Sequence, residues 1–473
     1  MHPILFNIPL PQMPLNVWWG LAIIALISLV SAALGARRGD KSSVWSGLFV
    51  AVLAAGGGYY FRDVTVEQHS LPIYSYGVML GLSLVVGWTL TLTLAERDGL
   101  PKETMANCYI VTAVAAIVGA RLLYVVTNLS EFHTVADVLA LRRGGLVAYG
   151  GFLGGFLGSW AFLSRNGIRL LPWADVAAPS IASGLLITRI GCYMFGCDFG
   201  KRLPEGAPEL LKKLGTFPHW PAGTIEHGDG APAFLRQMDL FRGTPLAAQI
   251  TKAGESLPVH PTQIYESLVG LGLLGLLFWQ RRYQKFRGQV FFLLAFAYGF
   301  FRFVLEIIRD DVERGEYGPT MPEHVLIPGA LLLFSLGFIF GISLGIPNAK
   351  ARLASCILSL APPAVAYWML KPPSFGETVT VQLSTSQWFA LISALIVAAC
   401  YASYWQKGIR NPRMAMALGI DGAPVEGASE NDSEEEREAA GEDEDEEEKE
   451  KSGEVGKSKK KKPLQGMPLP EGA

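Results

Sequence analysis

The chain has 473 residues, half of them hydrophobic, with a mean hydropathy of +0.29 and only 17% charged residues. That composition excludes an ordinary water-soluble enzyme and gives no basic footprint for nucleic acid. The formal net charge of −2 hides a split: the segment from Asp421 onward carries 18 acidic and 8 basic residues, net −10, and the rest of the chain is net +8.

The first 14 residues contain no Lys or Arg, so the basic start of a cleaved signal peptide is missing and the first apolar run is read as a retained helix. Apolar runs close to the roughly 20 residues that cross a bilayer as helix recur along the chain. They fall near 15–34, 43–61, 75–95, 106–127, 146–163, 175–197, 263–280, 289–307, 325–346, 352–371 and 386–405. The fold class is therefore an all-α polytopic membrane protein with eleven expected helices. Alternate loops hold Arg37/Arg38/Lys41, Arg97/Lys102, Arg165/Arg169, Arg281/Arg282/Lys285/Arg287, Lys350/Arg352 and Lys407/Arg410/Arg413. Basic loops stay cytoplasmic, which puts the amino terminus outside and the carboxyl terminus inside. Arg142 and Arg143 run against that rule.

On this topology, 198–262 is a small external domain rich in Pro and Gly, and 308–324 is an acidic external loop. Residues 430–450 are dominated by Glu and Asp, Lys457 to Lys462 form a basic knot, and neither has an apolar period to bury. Such a tail is expected to be disordered.

Polar residues inside apolar spans mark function, because an arginine at the bilayer centre costs at least ~2.5–3.5 kcal/mol. Tyr76, Arg121, Tyr149, Arg189, Glu266 with nearby His260, and Arg302 with Glu306 all fall toward the outer ends of their spans. Their common depth points to a shared wet cavity for an anion, since a guanidinium fork matches phosphate in two hydrogen bonds. Each has a plainer alternative. Arg302 and Glu306 are spaced to pair with each other on one helix face, Arg121 can snorkel, and Tyr76 can be an interfacial aromatic. The glycines of Gly144-Gly145, Gly150-Gly151 and Gly154-Gly155 suit close helix approach. Five cysteines show no zinc spacing and no disulfide scaffold, so no metal and no cofactor is expected. Only Cys192 and Cys197 invite chemistry, and on a regular helix they would point apart; Gly196 between them permits a break.

The landmarks from Tyr76 to about Gly345 resemble the prolipoprotein diacylglyceryl transferase family in content and order. Tyr76-Gly77 is similar to the family's early tyrosine-glycine, and Gly119-Ala120-Arg121-Leu122-Leu123-Tyr124 to its arginine segment. Gly144-Gly145-Leu146 through Gly150-Gly151-Phe152-Leu153-Gly154 resembles its glycine-rich helix. Arg189 to Lys201 falls on its signature, G-R-I-G-N-F-x-N-G-E-x-x-G-R. His260-Pro261-Thr262-Gln263-Ile264-Tyr265-Glu266 resembles H-P-[ST]-Q-x-Y-E, and Tyr298 to Glu306 resembles Y-G-x-x-R-F-x-x-E. This chain departs at Tyr149, where the family has histidine, at Cys192 for asparagine, at Cys197 for glutamate, and at Lys201 for the last arginine.

The resemblance implies two added helices in 1–70, a seven-helix core in 71–346 that includes the head 198–262, two added helices in 347–420, and the tail 421–473. It implies transfer of a diacylglyceryl group from phosphatidylglycerol to the lipobox cysteine of exported prolipoprotein precursors, at the outer face of the cell inner membrane. Membrane lipids are the remaining partners. Arg189 and Arg302 then hold the phosphate with Arg121 as a weaker third, and Tyr149 orients a hydroxyl or the phosphate. Glu266, Asp198 and His260 are candidate bases, and Tyr76, Cys192, Gly196, Asp198, Gly200, His260 and Glu306 are expected to line the substrate. Two other readings stay open: a thiol oxidoreductase using Cys192 and Cys197, and a non-enzymatic anionic-lipid binding or transport protein.

Overall fold

The computed structural model describes residues 3–9, 15–37, 41–60, 65–66, 70–132, 134, 137–138, 145–220, 230–310, 315–372, 378–423 and 425. Arg142, Arg143, Gly144 and the charged tail beyond 425 lie outside these residues.

Short strands β1 (Ile4–Pro9), β2 (Leu15–Asn16), β3 (Thr65–Val66) and β4 (Ser70–Tyr74) flank helices α1 (Val17–Arg37) and α2 (Lys41–Tyr60). Then come α3 (Ser75–Arg97), α4 (Lys102–Thr127), α5 (Ala148–Arg165) and α6 (Leu170–Phe195). A head region with α7 (Glu209–Leu214), α8 (Pro232–Leu240) and α9 (Pro245–Ala253) leads to α10 (Thr262–Arg281) and α11 (Gln289–Ile308). The chain finishes with β5 (Glu316–Pro322), α12 (Glu323–Phe340), α13 (Ala349–Ser359), α14 (Ala361–Leu370), β6 (Thr380–Ser384), α15 (Thr385–Arg410) and α16 (Pro412–Met416).

Helices occupy all eleven expected segments. Among the described residues, nine are long and apolar enough to span a membrane, with α13 and α14 counted as one span, Ala349–Leu370. That span breaks at Leu360, where Pro362 and Pro363 open the first turn of α14 and cannot continue a helix ladder from α13. The other two are α2, of 20 residues, and the glycine-rich α5, of 18. Large apolar side chains such as Val85, Val126, Phe152 and Trp368 are exposed, as expected where the solvent is lipid. The protein is a multi-pass, all-α membrane protein.

Packing follows the rules for helices in lipid, where small residues and interhelical hydrogen bonds replace the hydrophobic drive. Between α4 and α5 a Cβ added to Gly150 would stand 2.3 Å from the Gly119 carbonyl oxygen, and one on Gly154 2.2 Å from that of Ala115. The two backbones therefore touch. Hydroxyls add polar links, Thr91 to Ser180 at 2.5 Å between α3 and α6, and Thr112 to Ser159 at 2.7 Å between α4 and α5. The main core joins α6, α10, α11, α12 and α15 through Leu277, Phe303, Phe334 and Ala394.

At the end of the bundle away from the head, fully buried Asp175 of α6 accepts from the backbone N–H groups of Gly288 (2.5 Å), Val290 and Phe291 (both 3.0 Å). One helix thus caps another, meeting donors that the start of α11 would leave orphaned. Asp98 pairs there with Arg281 at 2.5 Å and Arg287 at 2.7 Å. At the head end, 308–324 is more than a loop. Its strand β5 pairs antiparallel with β6, and Trp388 Nε1 donates to the Tyr317 carbonyl at 2.9 Å. The last spanning helix is stitched to the rest of the protein beside the polar residues.

Candidate active site

The site begins where α6 ends. Gly196 takes the left-handed conformation (φ 84°) and its N–H donates to the Cys192 carbonyl at 2.8 Å, closing the helix. A side chain there would also meet Ala231 and Phe217 at 2.9 Å. Asp198 follows with φ 59°, rare for a residue with a side chain. These two turns fold the chain back, so one sulfur or oxygen from each of Cys192, Cys197 and Asp198 lie within 4.8 Å of one another. The start of α10 pins the returning loop: Gln263 donates to the Cys197 carbonyl and Thr262 to that of Asp198. Gly200 sits where the loop, the residue before α10 and the end of α11 converge, leaving no space for a Cβ, which would stand 2.7 Å from both His260 Cβ and the Ile308 carbonyl oxygen. Gly196 and Gly200, expected to line the substrate, thus each have a backbone reason to be glycine.

Around this loop three guanidinium groups meet three carboxylates. Arg189 Nη1 lies 2.8 Å from Asp198, and its Nε contacts Glu266. Arg302 Nη1 lies 2.9 Å from Glu266, and its Nη2 lies 2.9 Å from Glu306. Arg309, just past α11, reaches Glu266 at 3.3 Å and also pairs with Asp198. Glu266 and Glu306 are almost fully buried, so ions there need partners. The three guanidinium groups balance the three carboxylates, and Glu266 is the hub. The i, i+4 pairing of Arg302 with Glu306 does form, and Arg302 reaches across to α10 as well.

The last spanning helix completes the cluster. Ser384 Oγ donates to Glu306 at 3.1 Å, and Ser386 Oγ accepts from Arg302 Nη2 and from the Tyr149 hydroxyl, each at 3.4 Å. Tyr149 stacks on Phe389, with ring centroids 4.2 Å apart. Tyr76 lies over Gly191, its Cα 3.3 Å from where a Cβ on that glycine would stand. Nη2 of Arg189 donates to no described residue, which leaves a donor for an incoming anion.

Two expected members turn their side chains to other partners. Arg121 directs Nε, Nη1 and Nη2 to the carbonyls of Val138, Gly145 and Asp137, at 2.8, 3.0 and 2.8 Å, under the rings of Tyr124 and Phe132. It shares depth with the site but organises the segment between α4 and α5. His260 faces Tyr265, Nδ1 to hydroxyl 3.3 Å, and burial pushes its pKa below the ordinary value. Burial opposes ionisation of Asp198, yet Arg309 and Arg189 outweigh it and hold the carboxyl below its usual range, making it a weak base. The Cys197 thiol is pushed up by its hydrogen bond to Cys192 and by burial.

Sequence reasoning missed Arg309, Ser384 and Ser386. Arg309 continues the stripe of Arg302 and Glu306 by three residues, a signal that periodicity carries if the helix is followed one turn further. The serines had none.

The sequence profile described as prolipoprotein diacylglyceryl transferase matches residues 63–355, more than half of the chain. The chain belongs to the prolipoprotein diacylglyceryl transferase family. Relatives named phosphatidylglycerol-prolipoprotein diacylglyceryl transferase include one from Clostridium tetani, 26% identical over 53% of this chain and 86% of that protein. One from Clostridium perfringens is 28% identical over 59% of this chain and 97% of its own length. One from Bacillus cereus strain B4264 is 28% identical over 58% and 90%. The family match stops at 355, so this diacylglyceryl transferase family member takes Ser384, the last residue of β6 and N-cap of α15, and Ser386 of α15 from beyond the matched region.

Proposed function

We propose that the protein transfers a diacylglyceryl group from phosphatidylglycerol to the lipobox cysteine thiol of an exported prolipoprotein, at the outer face of the inner membrane, with its amino terminus outside and its carboxyl terminus cytoplasmic. The observation that carries this reading is the convergence of Arg189 and Arg302, from separate helices, on the shared anchor Glu266. In a member of this family, that pairing presets two guanidinium forks at one depth, where a lipid phosphate arrives.

The chemistry is alkylation of sulfur. The acceptor thiolate attacks the glyceryl carbon bonded to the phosphate oxygen, a C–S bond forms, the C–O bond breaks, and glycerol phosphate leaves with the electron pair. Charge grows on the departing phosphate, and donors aimed at that charge supply the dominant kind of stabilisation. Arg189 retains an unused donor for it, and Arg302 is steadied by Glu266, Glu306 and Ser386. The link of Tyr149 to Ser386, and through it to Arg302, supports a role for Tyr149 in orienting the phosphate or a glycerol hydroxyl.

The family relationship supports transfer over a thiol oxidoreductase or a passive lipid carrier. The test uses purified full-length protein, vesicles of labelled phosphatidylglycerol and a lipobox peptide. The parent is expected to label the peptide, and Arg189→Ala and Arg302→Ala to lower the rate by about 10²–10³ each. A parent that leaves the peptide unlabelled rejects the reading.

A further inference from the structure

The proposed reaction needs the acceptor sulfur as thiolate, and the carboxylates and the histidine described above are already engaged. Asp198 and Glu266 are bound by arginines, His260 faces Tyr265, and the Tyr149 hydroxyl donates to Ser386. At this point in the site, the two positions where the motif has asparagine and glutamate carry Cys192 and Cys197.

We propose that Cys192, Cys197 and Asp198 form a zinc site with one open position, and that this position takes the acceptor cysteine as thiolate. The proposal rests on the transferase reading.

The donor set fits. Two cysteine sulfurs and one carboxylate oxygen, all within 4.8 Å of one another, are already gathered. With Zn–S near 2.3 Å, tetrahedral ligand atoms stand roughly 3.8 Å apart, so only a small contraction is needed. Three protein ligands with a vacant fourth position are the pattern of a catalytic zinc site, whereas structural sites close all four. The spacing Cys-x4-Cys-Asp matches no common zinc motif, and only the left-handed turns at Gly196 and Asp198 make it a cluster.

The surroundings also fit. Gln263 and Thr262 hold the carbonyls of Cys197 and Asp198, fixing the loop that presents the ligands. Two thiolates, one carboxylate and Zn²⁺ sum to a single negative charge. Arg189, 2.8 Å from Asp198 and 3.9 Å from the Cys192 sulfur, and Arg309 on the other Asp198 oxygen provide the balancing cations. Such outer partners orient ligands and tune the metal. The thiol protons leave on metal binding.

The step balances without any redox change. The acceptor R–SH binds as R–S⁻ and its proton goes to solvent. That sulfur bonds to the glyceryl carbon as the C–O bond breaks, the electron pair leaves with glycerol phosphate, and the neutral thioether dissociates from the metal. The ion thus replaces a general base, in a chain whose glycine-rich helix carries Tyr149 where the motif has histidine.

The test loads the full-length protein in detergent, under reducing conditions, with Zn²⁺ or Co²⁺ and removes unbound ion. A single retained equivalent is expected, with thiolate-to-cobalt absorption and the visible bands of a tetrahedral ion. A lipobox peptide should alter that spectrum, and the same peptide with its cysteine replaced by serine should not. Cys192→Asn combined with Cys197→Glu should abolish the thiolate band; because that variant can misfold, the peptide titration of the parent stands as the independent measurement. No retained metal, a Cys192–Cys197 disulfide in freshly reduced protein, or undiminished lipid transfer by metal-free protein overturns the proposal while leaving the transferase reading intact. A spectrum that responds to the cysteine peptide without lipid transfer supports the metal site and sinks the transferase reading.

Discussion

Glu266 gathers guanidinium groups from three places in the chain, and Arg309, like Arg189, also pairs with Asp198 of the signature loop. Its side chain is only 4% exposed, so its loss strips a buried partner from both Glu266 and Asp198. Each acid keeps another arginine, so Arg309→Ala is expected to cost about 1–3 kcal/mol rather than the larger penalty of an isolated buried ion. Thermal unfolding of the variant in detergent measures this, and an unchanged midpoint would contradict it. Arg309→Lys is expected to recover only part, since a point charge cannot serve two carboxylates as a planar fork does. Arg189, Glu266, Arg302 and Glu306 were legible in the sequence because a charge inside an apolar run is costly and so stands out. Arg309 sits where the run has ended, and there a charge is ordinary. Arg121 shows the opposite error: hydropathy gives depth along the bilayer normal but not direction around the helix, and its guanidinium belongs to the segment leading to α5.

The α4–α5 pair depends on the absence of side chains. Gly154→Leu is expected to force the backbones apart, because its first carbon would fall 2.2 Å from the Ala115 carbonyl oxygen, and overpacking of this kind costs about 1–3 kcal/mol or more. Gly151→Ala is the matched control, its nearest neighbour being 3.5 Å away. Equal melting temperatures for the two variants would mean that the seam does not hold the pair. The helices themselves were readable from hydropathy alone. The β5–β6 pairing was not, because a five- to seven-residue strand between spans looks like loop until its partner, some 60 residues later, is in place. The break between α13 and α14 was visible only in Pro362 and Pro363.

For the molecule as a whole, the start of α15, beyond the family match, reaches the ion cluster. Ser384 and Ser386 reach Glu306 and Arg302, and Trp388 locks the same turn to β5. Ser384→Ala with Ser386→Ala removes hydrogen bonds worth about 0.5–1.5 kcal/mol each, enough to lower the transfer rate by roughly 10-fold if both steady Arg302. The vesicle assay reads this directly, and parent-like turnover would show that α15 only supports the fold.

The placement of α15 also bears on when activity can arise during synthesis. Helices enter the membrane in order from the ribosome, and Arg189 is made and inserted long before Ser384 and Ser386, at the start of α15, emerge. A half-made chain holds the arginines without the residues that steady Arg302. The hydrogen bond that Ser386 gives Arg302 therefore comes only with α15, so a stalled or prematurely terminated product is expected to transfer more slowly than the whole chain.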